Sequence, residues 1–159
     1  YSKKLKTKFI GLRFFTVFGE WGRPDMLIFK ILNSTLNKKL FFLNDNGNHY
    51  RDFTYINDLV NMLLKLKKIR YKKNYQEYNL CSNRPIQVKK VISIIKKRFE
   101  KIKIKNISPK ILKKIEVVKT HGSNKKILSI IKKYKFSNFD LALKKTIDWY
   151  LKNKIHIIS

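Results

Sequence analysis

Residues 10–36 constrain this chain more than any other part of its 159-residue sequence. Residues 10–18 (IGLRFFTVF) are dense in aromatic and β-branched side chains and stop at Gly19, the pattern of a buried strand. Residues 19–25 (GEWGRPD) hold two glycines and a proline, which makes them a shaped loop. Pro24 suits the first position of a helix, and Asp25 suits that helix's positive end. Leu27, Ile28, Ile31, Leu32 and Leu36 then recur at helical spacing. A strand that feeds a helix through a glycine loop is the building unit of α/β folds.

The rest of the chain continues the alternation. Residues 40–43 read as a short strand, Asn44-Asp45-Asn46-Gly47 as a turn and Tyr50–Tyr55 as a second strand, which together predict a hairpin. Asp58 opens a helix carrying Leu59, Val60, Leu63, Leu64 and Leu66. Residues 78–81 form another strand, and residues 82–85 turn into a helix striped by Val88, Val91, Ile92, Ile95 and Phe99. The Lys/Ile alternation over 101–105 marks an edge strand whose outward lysines discourage wrong pairing. Residues 110–122 carry little pattern. Beyond them Ser123 or Asn124 caps a short helix bearing Ile127, Ile130 and Ile131. Ser137 and Asp140 resemble a capping box for a last helix on Leu143, Ile147, Tyr150 and Leu151. No internal repeat or low-complexity linker interrupts the series, so the class is α/β.

Charge sets a second boundary. Lysine and arginine number 38 against 10 acidic residues, a formal net charge of +28, and 32 of the 38 are lysine. Base readout and forked phosphate recognition favour arginine, and these lysines are spread along the whole chain. Nucleic acid is therefore expected to bind non-specifically, through salt-sensitive charge alone. The single cysteine, Cys81, excludes an internal disulfide and fits a reducing compartment. No run approaches the roughly 18 apolar residues of a membrane span, so a cytoplasmic protein is expected. The first residue is Tyr1 and the methionines are Met26 and Met62, so part of a longer protein is expected.

Two places carry more than packing logic. Thr16 and Arg23 flank the glycine loop after the first strand, where open α/β sheets place their ligands. A hydroxyl and a planar guanidinium there suit a small anion such as a carboxylate; the same residues also read as a capped turn with an exposed arginine. Arg51 follows the Gly47 turn and can reach a diphosphate, with Asp52 orienting it; the alternative is a surface ion pair. His49, His121 and His156 lie far apart in sequence, which gives no metal site and no nucleophilic triad. Neither a G-x-G-x-x-G nor a Walker loop occurs.

Residues 11–26, GLRFFTVFGEWGRPDM, resemble the run GLRFFTVYGPWGRPDM of the NAD-dependent sugar-nucleotide epimerases, in the extended short-chain dehydrogenase/reductase family. The UDP-glucuronate 4-epimerase branch is the most similar. RDFTYINDLV at 51–60 resembles that branch's RDFTYIDDIV, YNLCSNRP at 78–85 its YNIGNNSP, and Asp148-Trp149-Tyr150 its closing EWY. The resemblance covers most of the chain and is poor over 101–135.

That resemblance implies the carboxyl-terminal half of such an enzyme. Its architecture would be the terminal part of a Rossmann-type parallel sheet plus a small α/β substrate-binding domain. Residues of about 1–23 and 51–86 would be Rossmann-associated, and about 24–50 and 87–159 substrate-binding. The glycine-rich loop that holds NAD and the catalytic Tyr-x-x-x-Lys pair would lie upstream; Tyr1 is not that tyrosine, because position 5 is Leu5. No catalytic residue is thus expected here. Thr16 and Arg23 match the positions that grip the uronate carboxylate, Arg51 the diphosphate-binding arginine and Phe15 the position beside the nicotinamide. Phe42 to Asn44 would border the uracil. The implied reaction is UDP-glucuronate/UDP-galacturonate 4-epimerisation through a 4-keto sugar, with NAD as cofactor. The missing half and a second copy are implied as partners, and the fragment alone is expected to be inactive. Another nucleotide-sugar epimerase, dehydratase or decarboxylase is the alternative within the family, and a basic polyanion-binding module the alternative outside it. Departures from the family pattern are Glu20 for Pro, Phe18 for Tyr and Asn57 for Asp. The late PGD-V segment survives only as Lys114-Ile115-Glu116-Val117.

Overall fold

A computed structural model describes residues 4, 7–99, 101–107 and 117–153. Among them are strands β1 (Phe9–Phe14), β2 (Thr16–Phe18), β3 (Phe41–Asn44), β4 (Tyr50–Tyr55), β5 (Tyr75–Leu80), β6 (Pro85–Gln87) and β7 (Ile104–Ile107). Between and after them run helices α1 (Leu27–Leu36), α2 (Ile56–Lys67), α3 (Val88–Lys96), α4 (Lys125–Ile131) and α5 (Phe139–Asn153). The expected α/β class with parallel pairing is what forms.

β1 runs parallel to β5, with Phe9 opposite Tyr75 and Phe14 opposite Leu80. β2 runs parallel to β4, with Thr16 opposite Phe53, and β6 pairs antiparallel on β4, with Asp52 opposite Pro85. The strand expected over 10–18 is therefore two strands. The Val17 N–H donates to the Phe15 carbonyl at 2.9 Å, a tight turn at which the chain leaves β5 and takes β4 as its neighbour. An unbroken apolar run does not reveal that change of partner.

The hairpin expected at 40–55 does not form. β3 pairs in parallel with β7, Phe41 opposite Ile104, and a 3-10 turn at Asp45–Gly47 carries the chain onward to β4. β4 is instead the central strand between β2 and β6, and both its faces are covered, since its last four residues, Asp52 to Tyr55, are all buried. β3 is buried on one face, at Phe41 and Leu43, while Phe42 stays exposed. Gly47 is required at the turn: its φ is +73°, and a Cβ there would sit 2.9 Å from the Lys89 backbone nitrogen.

Two hydrophobic clusters hold the layers. In the first, α1, α3 and α5 cover β2 and β4 through Ile31, Leu32, Val88, Val91, Ile95 and Leu143, all without exposed surface. Each such side chain contributes roughly 1.5–3 kcal/mol relative to exposure. Phe18 joins this cluster with its ring centroid 5.5 Å from Tyr55 and 5.2 Å from Phe139. In the second, α2 and α4 pack on β5 through Met62, Leu66, Leu80 and Ile127.

Several helix starts differ from expectation. α1 begins at Leu27, because the Met26 N–H donates to the Arg23 carbonyl at 3.1 Å and closes a turn with Pro24 at its second position, where proline is equally at home. α2 begins at Ile56, two residues before Asp58, whose buried carboxylate instead accepts from the Ser137 N–H and hydroxyl. Ser137 is thus engaged elsewhere, and Asn138 caps α5 by accepting from the Leu141 N–H at 3.1 Å. Asn124 stands at the N-cap of α4, but its side-chain amide donates to the Cys81 carbonyl. The turn expected over 82–85 ends in strand β6 before α3 begins, and the edge strand expected over 101–105 lies at Ile104–Ile107. The segment Lys114-Ile115-Glu116 lies outside the described residues.

Candidate functional site

The first residue of β2, the start of α1, β3 and the residues at and just before the start of β4 border a cavity of about 310 Å³. Thr16, Lys30, Phe42, Asn44, His49 and Arg51 are among its lining residues. Thr16 comes from β2, and Arg51 from β4 two residues before Thr16's register partner Phe53. A period of two along a strand puts Arg51 and Phe53 on one face. The Arg51 guanidinium donates through Nη1 to the Tyr50 carbonyl at 2.8 Å and to the Val117 carbonyl at 2.7 Å. Those bonds tie the half-buried side chain to the backbone and aim it.

Arg23 lines an adjoining cleft of about 20 Å³, room for roughly one water. Thr16, Met26, Leu27 and Phe53 border both spaces, so Thr16 and Arg23 share one wall of the molecule. The Arg23 side chain is 76% exposed and forks onto Asp25, Nε to Oδ1 at 3.0 Å and Nη2 to Oδ2 at 2.5 Å. That hydrogen-bonded contact, then its charge, raises the guanidinium above its ordinary pKa and draws the Asp25 carboxyl below its own. The first N–H groups of α1 have no side-chain cap, and their positive end faces the same region.

Phe15 sits half-buried in the break between β1 and β2. Its ring packs on Gly122, where a Cβ would lie 2.5 Å from the Phe15 ring and 2.6 Å from the Cys81 sulfur. Burial, then the nearby Asp52, pushes the Cys81 thiol up to about 11, so it is no thiolate nucleophile at neutral pH.

Asp52 does something other than the expected pairing with its neighbour. It is fully buried, and its carboxylate accepts from the Ser82 hydroxyl at 2.7 Å and the Gly122 N–H at 3.0 Å. It therefore knots β4, the β5–β6 turn and the segment around Gly122. Alternation along the strand, which sends Asp52 inward when Arg51 faces the cavity, was the available signal. His49 and Lys30 are cavity residues that the sequence did not single out; Lys30 follows Met26 and Leu27 at helical spacing, which does signal a shared face.

The departures at Glu20 and Asn57 belong together. Glu20 accepts the Tyr55 hydroxyl at 2.8 Å, and the Asn57 amide donates to that hydroxyl at 3.3 Å. Burial, then Glu20, pushes Tyr55 up to about 12. An Asp at position 57 would set a second carboxylate against a hydroxyl whose one proton is already committed. Glu20 lines neither the cavity nor the cleft.

The spacing Tyr-x-x-x-Lys does occur, at Tyr150 and Lys154. Tyr150 is fully buried, its ring centroid 5.0 Å from that of Phe29, so its hydroxyl is closed to a substrate; Lys154 lies outside the described residues. Among the described residues no group of three His, Cys, Asp or Glu side chains can hold a metal ion. No helix among them is long and apolar enough to cross a membrane.

Residues 1–81 match the model of the NAD dependent epimerase/dehydratase family. UDP-glucuronate 4-epimerase 5 of Arabidopsis thaliana is 33% identical over 155 residues, covering 89% of this chain and 35% of the relative. Among solved structures, MoeE5 in complex with UDP-glucuronic acid and NAD superposes with a TM-score of 0.81 at 24% identity, covering 92% of this chain and 48% of that one. UDP-glucuronic acid 4-epimerase from Bacillus cereus, in complex with UDP-glucuronic acid and NAD, gives 0.78 at 22% identity, covering 96% and 48%. The chain thus spans about a third of that curated relative and just under half of these solved structures. A motif-bearing strand–loop–helix unit, parallel α/β pairing and a matched family model over the first half agree: the chain belongs to the NAD-dependent epimerase/dehydratase family.

Proposed function

We propose that this chain is the substrate-gripping portion of a UDP-uronate 4-epimerase. The observation that carries this is the convergence of Thr16, Arg51 and β3 on one cavity, with Arg23 on the adjoining cleft. In this reading Arg51 holds the diphosphate, Phe42 to Asn44 border the uracil, and Thr16 with Arg23 holds the uronate carboxylate. An ion-pair contact of that kind separates acid from neutral sugars more sharply than a methylene does. The Asp25 partner leaves Nη1 of Arg23 without a bond among the described residues, open to a ligand.

Phe15 is the residue here that fits beside a nicotinamide, since its half-buried ring leaves apolar surface for a flat group. NAD, when bound, supplies the acceptor and then the donor of hydride. The five glycines form no G-x-G-x-x-G, so the phosphates of that cofactor are held by residues outside this sequence. The proton of the sugar's C4 hydroxyl is likewise taken by a group outside it, because the buried Tyr150 cannot reach a substrate. Binding and orienting the sugar is this chain's own part. Residues of about 1–23 and 51–86 then belong to the dinucleotide side, and about 24–50 and 87–159 to the substrate side. The 159-residue chain alone is expected to turn over no UDP-glucuronate in the presence of NAD, and measured epimerisation would contradict that division of labour.

The Arg23–Asp25 pair also favours a second reading, a neutral-sugar nucleotide epimerase, because an internal carboxylate already occupies one edge of the fork. The two readings part on Arg23→Ala. For a uronate enzyme, affinity for UDP-glucuronate falls about tenfold, the scale of one charge-assisted hydrogen bond, and affinity for UDP-glucose holds. Equal loss for both ligands supports the neutral-sugar reading.

A further inference from the structure

Helix α3 and the turn after it divide their cations between two sides. Lys90 and Arg98 face α5 and are neutralised there, Lys90 by Asp140 at 3.1 Å and Arg98 by Asp148 at 2.9 Å. Lys89, Lys96 and Lys97 have no carboxylate partner among the described residues. Positions 89, 92, 93 and 96 repeat at the spacing of one helix face. That face, with Lys97 beside it, borders an open groove of about 640 Å³ between α3 and β7. Its floor is apolar, from Ile92 and Ile104, and the Asn46 and Asn106 amides stand at its sides. Among the described residues no acidic and no aromatic side chain lines it.

The groove is distinct from the 310 Å³ cavity; the two have only Leu43 in common among their lining residues. Three cations, amide donors and, among the described residues, no carboxylate in the lining together select a multiply charged anion. The ligand's form follows from two further facts. Lys89 and Lys96 lie two helical turns apart, about 10 Å along the axis, so one compact anion cannot satisfy both. Single-stranded nucleic acids bind on aromatic stacking platforms, which this groove lacks. Point-charge lysines suit phosphate oxygens that need no planar fork.

We infer that the α3–β7 groove binds a linear chain of phosphates without bases, an inorganic oligophosphate, separately from the nucleotide-sugar site. Lys89, Lys96 and Lys97 meet successive phosphates, and the two asparagine amides donate to bridging or terminal oxygens. This site does not depend on the sugar-nucleotide reading and survives its failure.

The probe is inorganic tripolyphosphate, titrated calorimetrically into the full chain at fixed ionic strength. A control must exclude bulk charge. Residues 65–73 supply it, with six cations in nine residues and no part in the groove. The triple variant Lys89→Gln, Lys96→Gln, Lys97→Gln loses about tenfold in affinity, as three exposed charge contacts would give. The control Lys67→Gln, Lys68→Gln, Lys72→Gln loses less than about twofold. UDP-glucuronate does not displace the bound tripolyphosphate. Equal losses in the two triple variants overturn the inference, because the charge then acts without a site. Displacement by UDP-glucuronate overturns it too, and so does tighter binding of a uridine oligonucleotide of equal phosphate number, which would make the ligand a nucleic acid.

Discussion

Tyr55 shows how far a single hydroxyl can organise its neighbourhood. It donates to Glu20, accepts from the Asn57 amide and packs against Phe18 inside the first cluster. Folding raises its pKa from 10.0 to about 12, so the native state keeps a proton that the unfolded chain gives up. The stability this contributes is complete below about pH 10 and is lost as pH rises through about 12. Tyr55→Phe should therefore flatten the fall in urea midpoint between those two pH values. An alkaline limb of unchanged slope would mean that the other raised tyrosines, Tyr71, Tyr75, Tyr78, Tyr134 and Tyr150, carry all of it. Arg23, Thr16 and Arg51 stand out in the sequence because each sits in a specific motif. Asp52 stood out for the wrong partner: a neighbour in sequence points to the opposite face of a strand, and Asp52's real partners, Ser82 and Gly122, lie 30 and 70 residues away.

At the scale of elements, local chemistry was read well wherever it decided the outcome. The strand Tyr50–Tyr55 has its expected bounds, and the expected stripe is buried at Val88, Val91, Ile92 and Ile95, while Phe99 falls beyond the end of α3 and is half-buried. Pairing was not readable, because a strand's partner depends on distant chain. β3's partner β7 begins 60 residues after β3 ends, and the Asn-Gly turn between β3 and β4 signalled a hairpin by local rule alone. The start of α5 is a smaller case of the same kind, since Ser137 looked like a cap until Asp58 claimed it. Asn138→Ala should therefore lower unfolding stability by about 1 kcal/mol, the usual worth of an N-cap. A denaturant titration in which that variant matches the parent would return the cap to Ser137.

For the whole molecule, α/β class and family membership were both within reach of the sequence, through one long motif and an alternation of periods. What remained hidden was assembly: which loops meet, and that a lysine-rich face is neutralised on one side and open on the other. Among the described residues β1 has β5 as its one neighbour, and Phe14 at its end is 53% exposed. Parallel sheets are ordinarily covered on both faces and extended by further strands. The chain spans less than half of those solved relatives, and the proposed division has these residues hold substrate while others hold the cofactor's phosphates.

The most direct test of that division is an amide-resolved NMR titration of the 19.1 kDa chain with UDP-glucuronate. The account predicts perturbations centred on Thr16, on Phe42 to Asn44 and on Arg51, with Arg23 following when the sugar carries its carboxylate. Perturbations confined to α3 and β7, or saturable binding that leaves the Thr16 and Arg51 amides unmoved, would contradict it.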